Sequence, residues 1–336
     1  MSLRLAFTGT GTIAHIHALA VEEIEEAEIV AIVNHSPASA NHFAERYKIT
    51  RKYEKIAPLI HEGGIDALII NTPNYLHASQ AIAALEAGIH VMVEKPMAMT
   101  VEEAQNIIAA SEKSGARLMV AHCWRFDEEV QWLRDQLREG KLGAIIRTKG
   151  YGIHTLWGPE GWFTQKRLSG GGALADMGIH AIDTTRYLLH DPKPVRVFAR
   201  VGTYYGSYDV DDTAMVMIDW DNGVTSFIES GWWQPHSGRA EASTELYGTE
   251  GYAQVFPTHL KIVDESRRRV AIVESGFSQE ADKPPSQKMY NAQMAYFVKA
   301  IQHGLKPVPG GQEGLVNLQI IEAAYESSRS GQLVTL

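Results

Sequence analysis

Three ionisable side chains in the stretch "ADMGIHAID" (175–183) have types and spacing that could move protons. Asp176, His180 and Asp183 stand four and three residues apart. If the stretch is helical, positions i, i+4 and i+7 share one face, so all three side chains point the same way. The imidazole of His180 titrates near neutral pH, which suits a general acid or base. The stripe could therefore be an acid–base apparatus, a metal site or a solvated helix face.

The residues around this stripe favour catalysis over the two alternatives. A metal site needs further ligands, and the sequence has no HxxxH motif or Cys/His pairing to supply them, so we predict no metal. A solvated helix face usually carries Lys and Glu, which this stretch lacks. Tyr187 extends the stripe, and the upstream run Gly170–Gly172 predicts the close approach of a ligand. Asp183 is equally compatible with a helix-stabilising role.

A glycine loop near the N-terminus predicts a dinucleotide site. The segment "FTGTGTIA" (7–14) follows an apolar run and opens a helical pattern. Glycines there let the backbone turn sharply and approach a pyrophosphate, which then lies at the positive end of the helix. The predicted cofactor contacts in this loop are Gly9, Gly11, Thr12 and Ile13.

The end of the second strand run leaves the choice between NAD and NADP open. An acidic residue there would bond the ribose hydroxyls and repel a 2′-phosphate. This chain has "VNHSP" (33–37), in which Asn34 and Ser36 are the candidate ribose contacts. An asparagine can bond a hydroxyl but repels no phosphate, and no arginine follows to attract one.

Two further motifs stand where strand runs end, and ligands of open α/β sheets bind at the carboxyl ends of strands. The segment "NTPNYLH" (71–77) ends one run, and "VEKP" (93–96) ends the next. A lysine on a solvated loop is the alternative reading for an isolated Lys95. The two motifs add seven candidate cofactor contacts, Asn71, Thr72, Pro73, Asn74, His77, Glu94 and Lys95.

The elements that must position these residues predict an α/β protein of two domains. Through residue 120, short apolar runs alternate with helical patterns, which predicts βαβ units and a doubly wound parallel sheet. Strand patterns then dominate 194–273, and Asp221-Asn222-Gly223 predicts a hairpin turn between two of them. A largely antiparallel sheet covered on one face by helices fits this second part. The remaining predictions are a long aromatic loop (152–168), helices at 286–303 and 312–329, and domains 1–123 and 124–336.

Composition limits the partners and the compartment. The formal net charge is −9 and no block of Lys or Arg occurs, which argues against nucleic acid and anionic membranes as partners. The apolar runs are too short to span a membrane, and the N-terminus has no signal-peptide pattern. The single cysteine, Cys123, rules out an internal disulfide, so we expect a cytoplasmic protein.

Together these motifs resemble the glucose–fructose oxidoreductase/inositol dehydrogenase/MocA family. The resemblance runs through the glycine loop, "TPNYLHASQAIAALEAGIHVMVEKPMAMT" (72–100), "WRFDEE" (124–129), "GGGALADMGIHAID" (170–183) and "AAYESSRSGQLVTL" (323–336). It implies an N-terminal Rossmann domain that binds NAD or NADP. It also implies a C-terminal α/β domain with a large, mostly antiparallel open sheet that serves as the interface of a homodimer or homotetramer.

The resemblance further implies an enzyme that transfers a hydride between the nicotinamide and a hydroxyl or carbonyl group of a sugar, cyclitol or related polyol. Lys95, Asp176 and His180 match the family's catalytic positions. The expected substrate contacts are Arg125, Trp157, Trp162, Phe163, Asp176 and His180, and groups that could bind hydroxyls or an acid are His154, Arg167, His236 and Arg239. The alternatives are a cofactor-binding regulator without turnover and an NAD-dependent glycosidase of the same family.

Overall fold

The computed structural model of the chain describes residues 2–235, 241–263, 270–273, 275–277 and 286–336. The chain divides into two compact units, Met1–Cys123 with Ser286–Leu315, and Trp124–Pro285 with Val316–Leu336. Residues Ser286–Leu315, expected in the second domain, group instead with the first unit. The physical reason is that the helix Gln287–Gln302 packs against the helix Thr12–Glu22.

The first unit contains a six-stranded sheet in which all strand pairs are parallel, in the order β3-β2-β1-β4-β5-β6. Its elements up to Cys123 are β1 (Leu3–Thr8), α1 (Thr12–Glu22), β2 (Ala27–Val33), α2 (Pro37–Arg46), β3 (Arg51–Tyr53), α3 (Ile56–Glu62), β4 (Ala67–Ile70), a 3₁₀ turn (Asn74–Leu76), α4 (His77–Glu86), β5 (His90–Val93), α5 (Val101–Ser114) and β6 (Leu118–Val120).

The sequence explains why this sheet is doubly wound. The run "ALII" of β4 is buried along its whole length, as a strand covered on both faces requires. Gly115 ends α5 in the left-handed conformation at φ +73°. The strand order reverses between β1 and β4, and open α/β sheets bind ligands beyond the carboxyl ends of strands at such a point.

The second unit contains a nine-stranded sheet in the order β14-β13-β12-β11-β7-β10-β9-β8-β15. Among the strand pairs that the structure describes in this second sheet, only β7–β10 is parallel. The predicted fold class is therefore confirmed. The elements after Cys123 are α6 (Glu128–Arg138), β7 (Ile145–Thr155), α7 (Lys166–Ser169), a π-helical turn (Leu174–Gly178), α8 (Ile179–Leu188), β8 (Pro194–Gly202), β9 (Thr213–Trp220), β10 (Thr225–Gln234), β11 (Ala242–Gly248), β12 (Gly251–Val255), β13 (His259–Val263), β14 (Val270–Val273), α9 (Gln287–Gln302), α10 (Gly311–Ser330) and β15 (Val334–Thr335).

Two glycines bring the π-helical turn and α8 close to this sheet. A Cβ atom at Gly152 of β7 would collide with the backbone carbonyl of Met177. A Cβ atom at Gly178 would lie 3.1 Å from the Cβ of Ser230 on β10. The helix that carries Asp176 is therefore seated directly on β7 and β10, without intervening side chains at these points.

The opposite face of the sheet leaves large apolar side chains exposed. Phe198 of β8 and Phe227 of β10 both pair in register with Met217 of β9, so the three form a row across adjacent strands. Phe198 and Phe227 are 38% and 45% exposed.

The predicted hairpin turn is confirmed, since Asp221–Gly223 joins β9 to β10 and Gly223 has φ +83°. Strand β7 runs further than expected, through Thr155, because it continues to pair with β10 as far as that residue. The aromatic loop expected at 152–168 therefore starts later and includes a 3₁₀ turn, Gly161–Thr164. Within the described residues, no helix combines the length and the apolar character that a membrane span requires.

Candidate active site

Candidate residues occur in both units, and the glycine loop of the first unit has the geometry of an anion cradle. Gly9 has φ +82°, and a Cβ atom there would lie 2.5 Å from the carbonyl oxygen of Asn71, so only glycine fits. Gly11 precedes the first turn of α1, and a Cβ atom there would meet nothing within 4 Å. Thr12 and Ile13 begin α1, whose first turn holds no acidic side chain. The space at Gly11 therefore lies beside a positive helix end.

The side chain of Asn34 is held at the end of β2. Its Nδ2 donates to the Oγ1 of Thr10, and its Oδ1 accepts from the backbone N–H of Ser36 at 2.9 Å. The Oγ of Ser36 caps α2 by accepting from the N–H of Ser39 at 3.3 Å. These contacts fix a neutral amide next to the glycine loop, and they supply neither a carboxylate nor a cation to select between NAD and NADP.

One buried polar atom in the segment after β4 has no hydrogen-bond partner among the described residues. Asn71 is buried, and its Oδ1 has no hydrogen-bond partner among the described residues. Thr72 donates to the Oε1 of Gln80 at 3.1 Å, and Pro73 precedes the 3₁₀ turn that begins at buried Asn74. A buried acceptor without a protein partner next to the loop of Gly9 fits a site that a polar ligand completes.

His77 lies in the same segment but serves the backbone. Its Nδ1 is 2.8 Å from the carbonyl oxygen of Pro96, and its Nε2 is 2.7 Å from that of Thr72. Burial lowers the pKa of His77 below its ordinary value. The ring, expected to contact the cofactor, therefore ties together the loops that follow β4 and β5.

Glu94 and Lys95 follow β5, and a buried histidine of α1 contacts the glutamate. The Oε1 of Glu94 is 2.7 Å from the Nε2 of fully buried His17, and its Oε2 accepts from the backbone N–H of Lys95 at 3.1 Å. Burial opposes the charged carboxylate, but the contacts with His17 and Lys95 together outweigh burial and lower the pKa of Glu94. The turn that carries Lys95 is thus connected to the helix that begins at the glycine loop.

The stripe of the second unit starts in a π-helical turn rather than in a regular α-helix. Asp176 lies in that turn and His180 in the first turn of α8. Both are only partly exposed, and Asp183 is buried, so the stripe is not a solvated helix face. The ring of His180 meets Trp124 edge-on at 6.1 Å. A small pocket beside His180 is lined by Trp124, Tyr151, Thr184, Ser243, Thr244 and Phe256.

Arg125, expected to contact substrate, is instead the centre of a buried ion-pair network. Its Nε and Nη2 donate to the two carboxylate oxygens of Asp183, each at 2.8 Å. Asp183 also accepts from the Nδ2 of Asn317 at 2.8 Å, and Asp191 lies 2.8 Å from the same guanidinium. The arrangement supports a structural role for Asp183 and leaves the guanidinium of Arg125 only 2% exposed.

The glycines before the stripe allow close packing of the protein itself. A Cβ atom at Gly172 would collide with the backbone of Asp211, and one at Gly171 with the hydroxyl of Tyr325. The carboxylate of Asp211 accepts from the N–H groups of Gly172 and Leu174 at 2.8 Å each, and Tyr325 donates to it at 2.7 Å. At Gly171 and Gly172 the close approach is made by the protein's own groups in this helix cap, which no sequence motif near Asp211 announced.

A cluster of side chains whose contacts the sequence did not reveal lies beside Asp176. The Oδ2 of Asp176 accepts from the indole Nε1 of buried Trp232 at 3.1 Å and lies 3.7 Å from the Nε2 of His154. The Nδ1 of His154 is 3.2 Å from the Oε2 of Glu241. Glu241 just precedes β11 and far follows His154 in the chain, so only the strand pairing of β7 with β11 reveals the contact.

The aromatic residues expected to bind substrate form stacked pairs. Trp157 stacks on His154 with ring centroids 3.6 Å apart, and its Nε1 donates to Glu241. Trp162 and Phe163 stack with centroids 3.8 Å apart. Arg167 is exposed and donates to the side chain of Gln165 at 2.9 Å. The candidates His236 and Arg239 lie outside the described residues.

The residues described above can be compared with what a dinucleotide or a metal ion requires. The open space at Gly11, the unpartnered Oδ1 of Asn71 and the fixed amide of Asn34 fit a dinucleotide. For metals, no cluster of three or more His, Cys, Asp or Glu side chains suited to an ion occurs in the part of the chain that the structure describes.

Comparison with known proteins places both units in one family. The family model described as "Oxidoreductase family, NAD-binding Rossmann fold" matches residues 3–122, and the GFO/IDH/MocA C-terminal domain matches residues 130–254. D-glucoside 3-dehydrogenase of Escherichia coli is 28% identical over 351 residues, 99% of this chain and 97% of that protein. The NAD⁺-dependent scyllo-inositol 2-dehydrogenase of Bacillus subtilis is 28% identical over 345 residues, 99% of this chain and 96% of that protein.

A solved structure supports the same assignment. Levoglucosan dehydrogenase in complex with NADH and levoglucosan has a TM-score of 0.88 and 26% identity, covering 100% of this chain and 99% of the other. The predicted family, the nicotinamide cofactor and the class of activity are thereby confirmed. This chain belongs to the GFO/IDH/MocA oxidoreductase family and carries its NAD-binding Rossmann domain.

Proposed function

We propose that the protein is an NAD(P)-dependent oxidoreductase that transfers a hydride between the nicotinamide and a hydroxyl or carbonyl carbon of a sugar, cyclitol or related polyol. The observation that carries this proposal is the imidazole and carboxylate of His180 and Asp176 on one helix of a chain with the family's NAD-binding domain. The relatives described above are named for a glucoside, an inositol and levoglucosan, all of which are polyhydroxylated rings.

The cofactor would be held by residues of the first unit. The backbone at Gly9 and Gly11 and the first turn of α1 would receive the pyrophosphate, and Asn34 and Ser36 would lie at the ribose. Asn71 and the residues that follow it would contact the remainder. The chemistry that a nicotinamide supplies when bound is the acceptance or donation of a hydride.

The protein's own groups must move a proton and stabilise charge at the reacting oxygen. We assign the base to His180, because an imidazole exchanges protons near neutrality and its removal of the hydroxyl proton makes loss of the hydride possible. Asp176 would accept a hydrogen bond from a substrate hydroxyl and support the imidazolium. Lys95 would supply the positive charge that favours alkoxide character in oxidation and polarises the carbonyl in reduction.

The direct test is turnover. The purified chain is incubated with a panel of sugars, cyclitols, other polyols and sugar acids, each with NAD⁺ and with NADP⁺, and the absorbance of the reduced nicotinamide is followed. We expect net reduction of at least one cofactor with a ring polyol, and its loss in His180→Ala. Cofactor binding without turnover of any member would instead indicate a regulator. Release of a free aglycone from glycosides without net cofactor reduction would indicate a glycosidase.

We also propose that the protein is a cytoplasmic homodimer or homotetramer built on the second unit. The row of Phe198, Met217 and Phe227 supports this assembly, because a second copy related by symmetry is the common way to cover such a sheet face. The cytoplasm is supported by the single cysteine, Cys123, because one cysteine cannot form the internal disulfide that is common in oxidising compartments.

A further inference from the structure

The imidazole of His154 is flanked by two carboxylates and has no part in the proton transfer proposed above. Its Nδ1 is 3.2 Å from Glu241, and its Nε2 is 3.7 Å from Asp176. Carboxylates accept hydrogen bonds but, when ionised, donate none. A neutral imidazole carries one N–H and could satisfy one of these neighbours, whereas an imidazolium carries two and suits both.

The surroundings make the charge on this imidazole consequential. The side chains of His154 and Asp176 are 11% and 13% exposed, so an ionised Asp176 has little water to stabilise it. Trp232 donates one hydrogen bond to its Oδ2 at 3.1 Å, and the Nε2 of His154, a residue of β7, lies 3.7 Å from the same oxygen. Removing one member of a partly buried charge pair leaves the other uncompensated.

Glu241 contacts both His154 and Trp157. It lies beside the Nδ1 of His154 and accepts from the indole N–H of Trp157, whose ring stacks on His154 at 3.6 Å. The side chain of Glu241 is 38% exposed, which makes it accessible to substitution without opening a core. One carboxylate therefore fixes the position of two rings next to Asp176.

The same two carboxylates determine the direction in which the pKa of His154 is shifted. Burial favours the neutral imidazole, but Asp176 and Glu241 together outweigh burial and raise the pKa of His154 above its ordinary value. These are the charged groups that face the ring among the described residues. A raised pKa means that His154 keeps its proton to a higher pH than an ordinary histidine, and that its charged contact with the ionised carboxylates is lost as the pH rises through that pKa.

We propose that His154 and Glu241 are positioning residues of this enzyme, in which Glu241 holds the His154 imidazolium and the imidazolium keeps the Asp176 carboxylate ionised and oriented for a substrate hydroxyl. The inference rests on the proposed function, because it assigns Asp176 to that reaction. It gives the activity a basic limb: kcat/KM falls at high pH as His154 loses its proton, in addition to the acidic limb that His180 sets.

The test uses Glu241→Gln in the full-length protein. Glutamine keeps an oxygen that can accept from Trp157 but carries no charge to hold a proton on His154. We expect the NMR titration of the His154 ring, identified by the loss of its signal in His154→Gln, to move to lower pH by about one unit. The basic limb of kcat/KM should move by the same amount, while cofactor affinity stays unchanged.

The matched control is Glu245→Gln, four residues further along in β11. Its carboxylate accepts from the hydroxyl of Tyr247 and has no contact with His154 among the described residues. We expect neither the titration of His154 nor the pH profile to change in this control. His154→Gln should lower kcat and abolish the basic limb, and it provides a second measurement should Glu241→Gln fold poorly.

Two results would overturn the inference. One is a titration midpoint of His154 that is the same in Glu241→Gln and in the parent. The other is a uniform loss of activity at every pH with no movement of the basic limb, which is what a purely structural role would give. If the parent turns over no polyol, the proposed function fails first, and the NMR titration still decides whether Glu241 holds the proton on His154.

Discussion

The buried ion pair of Arg125 and Asp183 yields a prediction whose size can be worked out from its contacts. Asp183 accepts two hydrogen bonds from Arg125 and one from Asn317, and both charged side chains are 2% exposed. Asp183→Asn removes the charge and points an N–H₂ group at a donor. Breaking a buried pair costs about 3–5 kcal/mol. Arg125 keeps Asp191 at 2.8 Å, so we expect a loss of about 3 kcal/mol in the free energy of unfolding.

Two further variants separate the pair from the rest of the network. Arg125→Met removes the cation bonded to both oxygens of Asp183 and one of the two cations beside Asp191, which keeps Arg134 at 3.5 Å. We therefore expect it to cost about 4–5 kcal/mol, more than Asp183→Asn. In the double variant Arg125→Met/Asp183→Asn neither charge of the pair remains. We expect its loss to fall short of the sum of the single losses by about 2 kcal/mol or more, because contacting residues are not additive.

The assay can follow the relevant unit alone. All seven tryptophans of the chain lie within Trp124–Pro285, so their fluorescence during urea unfolding reports on the second unit. The matched control is Asp135→Asn, which removes a partner from an exposed pair with Arg138 and should cost less than about 0.5 kcal/mol. The reasoning is refuted if Asp183→Asn costs no more than this control. It is equally refuted if kcat/KM collapses while the unfolding midpoint is unchanged, since Asp183 would then act in the reaction.

Three shorter predictions concern the cofactor, the base and the assembly. Gly11→Val should weaken NAD(H) and NADP(H) binding at least about tenfold in calorimetric titration, because the valine side chain would occupy the space that the pyrophosphate approaches. The chain should stay folded, since a Cβ there meets nothing within 4 Å of protein, and unchanged affinity would contradict the prediction. His180→Ala should lower kcat by about 10²–10⁴-fold and remove the acidic limb of the oxidation profile, and Lys95→Met should be at least as damaging; full turnover in His180→Ala would place the base elsewhere. Phe227→Glu should yield a 37.2 kDa particle in light scattering where the parent is larger, and a parent that is already monomeric would disprove the assembly.

Much of the first unit could be predicted because its signals are local. An apolar run such as "ALII", a glycine loop and a helix pattern each depend on neighbouring residues, and the parallel order follows from their alternation. The short strand Arg51–Tyr53 escaped because "RKY" carries no apolar run, and its strand character comes only from pairing with β2. The grouping of α9 with α1 likewise depends on contacts between distant segments.

The second unit shows which parts of a site a sequence leaves hidden. Asp176 and His180 could be selected because helical spacing is a local property. The partners of these residues could not, since Glu241 reaches His154 through strand pairing and Asp211 reaches the helix start from a loop before β9. The motif around Arg125 predicts a substrate contact. The two carboxylates that bind its guanidinium belong to Asp183 in α8 and to Asp191 in the turn after α8, and neither is evident from that motif.

Three glycines show why a glycine motif predicts a close approach but does not identify the approaching group. A glycine signals that something must approach the backbone closely, but the sequence does not say whether that is a ligand or the protein itself. At Gly9 the approaching group is the backbone of Asn71, and at Gly172 it is that of Asp211, whereas at Gly11 it is open space. Protein contacts thus account for two of the three positions. Of these three glycines, Gly11 has room beside it, and a substitution there can test ligand binding without disturbing the fold.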